Sequence, residues 1–135
     1  MITHKDGTLP PEGEGWLFVF GSNEAGIHGA GAAKIARFKF RARLGLYNGK
    51  NNQSYAIPTK DFHIRTLSLD RIEEYVKQFI EYTYDQPQRK FWLTRVGCGL
   101  AGYEDSQIAP LFRGVNLENT SIPEEWVKYI GNTDE

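Results

Sequence analysis

The chain has 135 residues, 40% of them hydrophobic and 24% charged, which is typical of one globular domain. Its apolar runs, such as residues 16–20, are too short to cross a bilayer, and the N-terminus lacks the apolar core of a signal peptide. Cys98 is the sole cysteine, so an intrachain disulfide is excluded and we expect a cytoplasmic protein. The 16 basic and 17 acidic residues give a net charge of −1, which argues against a nucleic-acid partner.

The first third of the chain reads as a lead-in, a strand, a glycine-rich loop and a helix. Glycines and prolines in residues 1–15 predict an irregular lead-in. Residues 16–20 are apolar throughout, as in a strand that is buried on both faces of a parallel sheet. Residues 21–31 contain four glycines. Residues 32–44 are rich in helix formers and precede Gly45, so they predict the first helix.

The remaining elements follow in alternation. Residues 47–53 predict a turn, and residues 54–57 predict a short strand that Pro58 stops. Asp70 begins the clearest helix, with Glu73 as its capping-box partner, and Pro87 closes that segment. Residues 91–96 predict a third strand that runs into the glycine-rich residues 97–102. A short helix over residues 108–112, a small last strand over 115–117 and a final helical turn from Pro123 complete the prediction.

This alternation predicts an α/β fold with three layers, a mostly parallel sheet and a single domain over residues 1–135. Both glycine-rich loops follow a strand and precede a helix. In parallel sheets ligands bind beyond the carboxyl ends of the strands, where backbone N–H groups and helix N-termini favour phosphate. We therefore expect the two loops to line one ligand site.

Three segments carry a family resemblance. Residues 21–23 (Gly-Ser-Asn) followed by residues 28–33, then 57–60 (Ile-Pro-Thr-Lys), then 96–103 (Val-Gly-Cys-Gly-Leu-Ala-Gly-Tyr) occur in that order. They resemble the macrodomain family of ADP-ribose-binding proteins, and small macrodomain-type proteins of phages and bacteria. The segment at residues 57–60 is similar to the branch that removes ADP-ribose from acidic side chains. The resemblance covers residues 16–113 and implies a reduced macrodomain-like fold.

The resemblance also implies a site for ADP-ribose or a related nucleotide. We expect no cofactor, and no metal because His4 and His63 have no Cys/His/Asp cluster at ligand spacing. Asn23 would lie near the distal ribose, the glycine segments on the diphosphate and Tyr103 near a ribose or phosphate. The imidazole of His28 could meet phosphate or act as a base. The predicted catalytic residues are Asn23, His28 and Lys60. The predicted ligand-binding residues are Gly21, Ser22, Gly29, Ala30, Gly31, Ala32, Gly97, Cys98, Gly99, Leu100, Ala101, Gly102 and Tyr103.

One departure from the resembling branch bears on catalysis. That branch has a catalytic acid where this chain has Ala101, so Lys60 would lack an acidic partner. Binding is therefore the primary expectation and hydrolysis of an ADP-ribosyl bond the secondary one. Asp6 is a tentative counterpart of the acid that many macrodomains place against the adenine amine, and Arg95 could meet phosphate or solvent.

Three other functions stay open. Gly97, Gly99 and Gly102 match the G-x-G-x-x-G pattern of a Rossmann-like dinucleotide enzyme. The same pocket could sequester a nucleotide signal without turning it over. A nucleic-acid module is the third, because basic residues crowd the first predicted helix. They are Lys34, Arg37, Lys39, Arg41 and Arg43.

Overall fold

The computed structural model describes residues 1–131, which form one six-stranded sheet with helices on both faces. The strands are β1 (Ile2–His4), β2 (Trp16–Asn23), β3 (Gly49–Asn51), β4 (Ser54–Lys60), β5 (Lys90–Leu93) and β6 (Thr120–Pro123). The helices are α1 (Gly31–Lys39), α2 (Leu69–Asp85), α3 (Asp105–Ile108) and α4 (Val127–Ile130), with 3₁₀ turns at Ala109–Phe112 and Glu124–Trp126. The strand order is β1-β6-β5-β2-β4-β3, and every neighbouring pair is parallel except β3 with β4. The predicted α/β class with a mostly parallel sheet is confirmed.

The core is divided between the two faces of the sheet. Along β2, Leu17 and Val19 belong to the larger apolar cluster, whereas Phe18 and Phe20 belong to the smaller one. The larger cluster packs the sheet against α2, α3 and α4, and the smaller one packs it against α1. Since successive side chains of a strand point to opposite faces, an apolar run such as β2 supplies both cores.

The helix α2 buries Ile72, Val76, Phe79 and Thr83, which form an apolar stripe at spacings of three and four residues in the sequence. Its first residue differs from the prediction. Ser68, not Asp70, is the N-cap, and its side chain accepts a hydrogen bond from the N–H of Arg71. Asp70 lies instead in the first turn, where a carboxylate favours the helix dipole. The predicted capping box from Asp70 to Glu73 is therefore wrong.

Two further boundaries are corrected by tertiary contacts. The helix α1 ends at Lys39 rather than near residue 44, because Phe40 stacks on Phe18 with ring centroids 4.5 Å apart and Arg41 takes a left-handed φ of 60°. The strand β4 continues through Pro58 to Lys60. Its partner β3 reaches only as far as Ala56, so the missing N–H of proline falls where one side of the strand is unpaired.

Three segments of low apolar content form strands that the sequence pattern did not predict. The lead-in contains β1, which pairs with β6, so residues 1–15 are not irregular throughout. The polar residues 47–53 include β3. The last strand lies at Thr120–Pro123 rather than at 115–117, and its Thr120 and Ser121 are fully buried. Within residues 1–131, no helix is both long and apolar enough to span a membrane.

Candidate functional site

A cleft lies at the carboxyl ends of β2 and β5, which are neighbours in the sheet. The chain leaves β2 towards α1 on one face and leaves β5 towards α3 on the other. The next strands after them, β3 with β4 and then β6, also lie on opposite sides of this pair. Such a reversal opens a crevice between the two loops, which is where ligands bind in open α/β sheets.

The cleft has a volume of about 700 Å³ and three walls. The loop after β2 forms one wall, the loop after β5 forms a second, and residues 6–9 of the lead-in form the third. Of the predicted site residues, those lining it are Gly21, Ser22, Asn23, Gly29, Ala30, Gly31, Ala32, Lys60, Gly97, Cys98, Gly99, Leu100 and Ala101. The structure thus brings together both loops and Lys60, which are far apart in the sequence.

Both loops present backbone N–H groups that have no acceptor within residues 1–131. The first hydrogen bond of α1 runs from the N–H of Lys34 to the carbonyl of Ala30, and Ala30 supplies no side-chain cap. The N–H groups at residues 31–33 are therefore free at the N-terminus of a nine-residue helix. In the second loop, the N–H groups of Gly97 and of residues 99–101 donate no hydrogen bond within that same part of the chain. Free N–H groups from two sides are a typical anion site.

Two glycines where the loops approach each other have a backbone conformation that favours glycine. Gly31 and Gly97 have left-handed φ of 57° and 81°. A Cβ on Gly97 would also lie 3.1 Å from the Ile108 side chain, whereas a Cβ on Gly21 or Gly31 would make ordinary contacts, 3.6 Å from the N atom of Gly97 and 3.5 Å from the Leu100 side chain. Leu100 is 66% exposed and extends from the second loop to the first. Backbone conformation, more than lack of space, therefore accounts for glycine at these positions.

Asn23 lines the cleft, but its side chain mainly closes its own loop. The Asn23 amide nitrogen donates to the carbonyl of Ile27 at 2.8 Å, and its Oδ1 accepts from the N–H of Ile27 at 3.1 Å. The neighbouring Ser22 hydroxyl donates to the carbonyl of Tyr47 at 2.6 Å. The Asn23 side chain therefore holds the first glycine loop closed, and the Ser22 side chain ties the end of β2 to the segment before β3, so both act first as positioning groups.

Lys60 lies at the end of β4, beside a register shift in the β2–β4 ladder. Ser22 faces Pro58 and Asn23 faces Lys60, so Thr59 is the extra residue of a bulge. Bulges of this kind redirect side chains at the rim of a site. Within residues 1–131 no acidic group lies within 4.0 Å of the Lys60 ammonium. Its charge is therefore available to an anion in the cleft.

Three predicted site residues lie outside the lining of the cleft. His28 is fully buried, with Nε2 donating to the carbonyl of Arg43 at 2.8 Å and the ring edge-on to Phe20. Burial lowers its pKa, so the imidazole is neutral at pH 7. Its hydrogen bond runs to Arg43, which does not line the cleft. The Tyr103 hydroxyl donates to the carbonyl of Leu67 at 2.6 Å, and Gly102 forms the turn before it with φ of 89°.

Arg95 lines the cleft, yet its guanidinium is already paired. It donates to both carboxylate oxygens of Asp105, at 2.8 and 2.9 Å, and to Asp6 at 3.1 Å. The pair ties the lead-in wall to the start of α3 rather than offering a charge to a ligand. The Asp6 carboxylate, on the wall formed by the lead-in, is likewise already paired with Arg95.

Cys98 lies in the second loop beside this carboxylate cluster. Burial, with the nearby charge of Asp105, raises the pKa of the thiol to about 12. A thiol that stays protonated at neutral pH is a poor nucleophile. Cys98 therefore lines the cleft as a protonated thiol, and its N–H donates to the carbonyl of Arg95.

Apart from Asp6, sequence reasoning missed the contribution of the lead-in. His4, Thr8 and Leu9 line the cleft, and the His4 ring stacks on Trp92 with centroids 4.0 Å apart. Its Nε2 donates to the carbonyl of Leu93 at 3.0 Å. The pairing of β1 with β6 positions this segment, and a three-residue edge strand leaves no periodic signal in the sequence.

Residues 1–131 contain no cluster of three or more histidine, cysteine, aspartate or glutamate side chains arranged to hold a metal. Comparisons with protein-family models, with curated proteins and with solved structures found no match to this chain.

Proposed function

We propose that this protein binds ADP-ribose or a closely related nucleotide in the cleft between its two glycine-rich loops, in the manner of a reduced macrodomain. The observation that carries the proposal is that two loops lining one crevice have unpaired N–H groups, at residues 31–33 in the first loop and at Gly97 and residues 99–101 in the second. Two such loops suit a diphosphate better than a single phosphate, because each can cradle one group.

The remaining lining suits the rest of such a ligand. A volume of about 700 Å³ is within the usual range for nucleotide and cofactor sites. Apolar side chains from Ile27, Ile35, Ile64 and Leu100 surround the mouth and offer surface to a base or a ribose. Lys60 supplies one cation for a phosphate.

The geometry supports binding better than hydrolysis. The Asn23 amide is engaged in its own loop, His28 is buried elsewhere and Ala101 provides no acid beside Lys60. General acid–base help is worth about 10²–10⁴-fold, so a site without it would turn over slowly. A Rossmann-like reading is less well supported, because Gly102 lies outside the cleft lining and α3, which follows the second loop, is only four residues long.

Substitutions at Gly99 give the most direct test of ligand binding in the cleft. Its φ is not left-handed, and a Cβ there would meet no atom within 4 Å, so the fold accepts a side chain. Gly99→Glu places a carboxylate among the free N–H groups, whereas the matched Gly99→Gln adds the same bulk without the charge. We expect isothermal titration with ADP-ribose to show binding to the natural protein, with AMP and NAD⁺ as comparison ligands. A desolvated like-charge contact costs several kcal/mol, so Gly99→Glu should weaken binding by about 100-fold or more.

The Gly99→Gln variant should weaken binding far less than Gly99→Glu. Equal losses for the two variants would show that bulk, not anion recognition, decides affinity. Absence of heat with all three ligands at millimolar concentration would refute the proposal. Release of product from an ADP-ribosylated peptide would instead support the hydrolase, and Lys60→Ala would then show whether Lys60 takes part.

A further inference from the structure

A second surface is defined by an uneven distribution of charge along the chain. Residues 25–60 contain seven basic residues and no acidic one. The rest of the chain holds nine basic and 17 acidic residues, a net charge of −8. The overall charge of −1 therefore hides a strongly basic region.

Most of this charge lies on α1 and on the residues that follow it up to Lys50. We call this segment the basic surface, and its cations are Lys34, Arg37, Lys39, Arg41, Arg43 and Lys50. All six are exposed, and none has an acidic partner within 4.0 Å in residues 1–131. Of the ten other basic residues in the same part of the chain, four have such a partner: Arg65, Arg71, Lys90 and Arg95. Unpaired like charges that share a surface repel one another, so a fold retains them at a cost unless an anion binds there.

Apolar side chains are interspersed with these cations. Phe38 is 68% exposed and Leu44 70% exposed, and Tyr47 is also exposed. Lys34, Arg37 and Phe38 share one stripe of α1 at spacings of three and four residues. The Arg37 guanidinium lies 5.3 Å from the centre of the Phe38 ring. A cation beside an exposed ring can contact a phosphate while the ring stacks on a base.

A groove adjoins the end of α1. Its volume is about 860 Å³, and Phe38, Lys39 and Arg89 line it together with Trp16. The Lys90 ammonium lies 4.7 Å from the centre of the Trp16 ring, and one carboxylate, that of Glu12, also lines the groove. Cations and aromatic rings therefore continue from α1 into a concave surface.

We propose that the basic surface is a binding site for single-stranded nucleic acid, with the cations on the phosphates and Phe38 stacked on a base. A membrane fits less well, because the apolar face of α1, Ala33 and Ala36, is buried against the sheet and cannot enter lipid. The surface is separate from the nucleotide cleft: Arg37, Phe38, Arg41 and Arg43 do not line it. The proposal therefore does not rest on the function proposed for the cleft.

The test is fluorescence anisotropy with a fluorescein-labelled 20-nucleotide oligo(dT), repeated over a series of salt concentrations. With four to six phosphates neutralised, the slope of log affinity against log salt should be about −3 to −4 for a single strand. The double variant Arg37→Glu/Arg41→Glu should lose at least about tenfold in affinity and flatten the slope by about 1.4. The matched control is Lys77→Glu/Lys128→Glu, which makes the same change in charge at two exposed lysines outside the basic surface.

The proposal would be overturned if the natural protein did not bind at about 50 mM salt, or if the control variant lost as much affinity. Binding to phosphatidylserine vesicles but not to the oligonucleotide would overturn it as well. Phe38→Ala should lower affinity about fivefold or more, since stacking on a side chain contributes strongly to single-strand binding. An unchanged affinity for that variant would refute the single-stranded assignment. Titration of Arg37→Glu/Arg41→Glu with ADP-ribose should give the natural affinity, which separates this test from that of the cleft.

Discussion

Asp105 is the position where one substitution should do most to loosen the site without touching a predicted ligand contact. Its carboxylate accepts two hydrogen bonds from Arg95 and a third, of 2.6 Å, from the indole N–H of Trp126. Trp126 is fully buried. Asp105→Ala removes all three acceptor contacts and leaves Arg95 with Asp6 alone.

The expected loss of stability depends on which groups each broken contact leaves without a partner. A buried indole N–H without an acceptor costs about 1–3 kcal/mol. The Arg95–Asp105 pair is partly exposed, with 32% and 26% of the side chains accessible, so its loss adds at most about 1 kcal/mol. We therefore expect Asp105→Ala to lower the free energy of unfolding by about 1–4 kcal/mol. Asp6→Ala breaks only the exposed half of the cluster and should cost less than about 1 kcal/mol.

Urea denaturation followed by circular dichroism measures both losses. A loss of unfolding free energy below about 1 kcal/mol for Asp105→Ala, or equal losses for the two variants, would refute the cost assigned to the unpaired indole N–H of Trp126.

Acid titration gives an independent check of the same cluster. Burial by itself would raise the pKa of Asp105, but the hydrogen bonds from Arg95 and Trp126 outweigh it and hold the pKa below its ordinary value. A carboxyl whose pKa is lower in the folded state stabilises the fold above its unfolded pKa, near 4, and loses that contribution as the pH falls further. The free energy of unfolding of the natural protein should therefore fall in acid, and the fall should be smaller for Asp105→Ala.

Three further expectations concern single residues. Cys98, with its raised pKa, should react with iodoacetamide at pH 8 much more slowly in the folded protein than in urea, as mass spectrometry would show. Gly26→Ala should destabilise the fold far more than Gly114→Ala in thermal unfolding: both have left-handed φ, but only at Gly26 would a Cβ overlap backbone, 2.4 Å from Gly45. Burial lowers the pKa of His28, so its NMR titration midpoint should lie below 6.5, and its share of stability should be lost as the pH falls through that midpoint.

Much of the fold could be predicted from local pattern. The continuous apolar run at residues 16–20 and the stripe of α2 located two main elements, because burial on two faces or on one leaves a direct trace in residue order. The sequence pattern failed to predict strands that are buried by other parts of the fold. The strand β6 lies between β1 and β5 and contains Thr120 and Ser121, which are fully buried although polar, and the short β1 has no periodicity of its own.

The candidate site, like the fold, could be predicted only in part from the sequence. Glycine-rich loops after strands are visible in the sequence because glycine spacing reports close backbone approach, and both loops do line the cleft. The direction of individual side chains was not visible. His28 and Tyr103 share a loop with cleft residues, yet their hydrogen bonds run to the carbonyls of Arg43 and Leu67.

The surface charge, too, could be predicted only in part from the sequence. The sequence by itself determined that residues 25–60 are basic, since that is a matter of composition. Only the tertiary structure decided that these cations lie exposed and unpaired within residues 1–131, whereas Arg95 is bound between Asp6 and Asp105. The physical reason is that an ion pair depends on distances of a few ångströms between residues about 90 positions apart, which order along the chain does not encode.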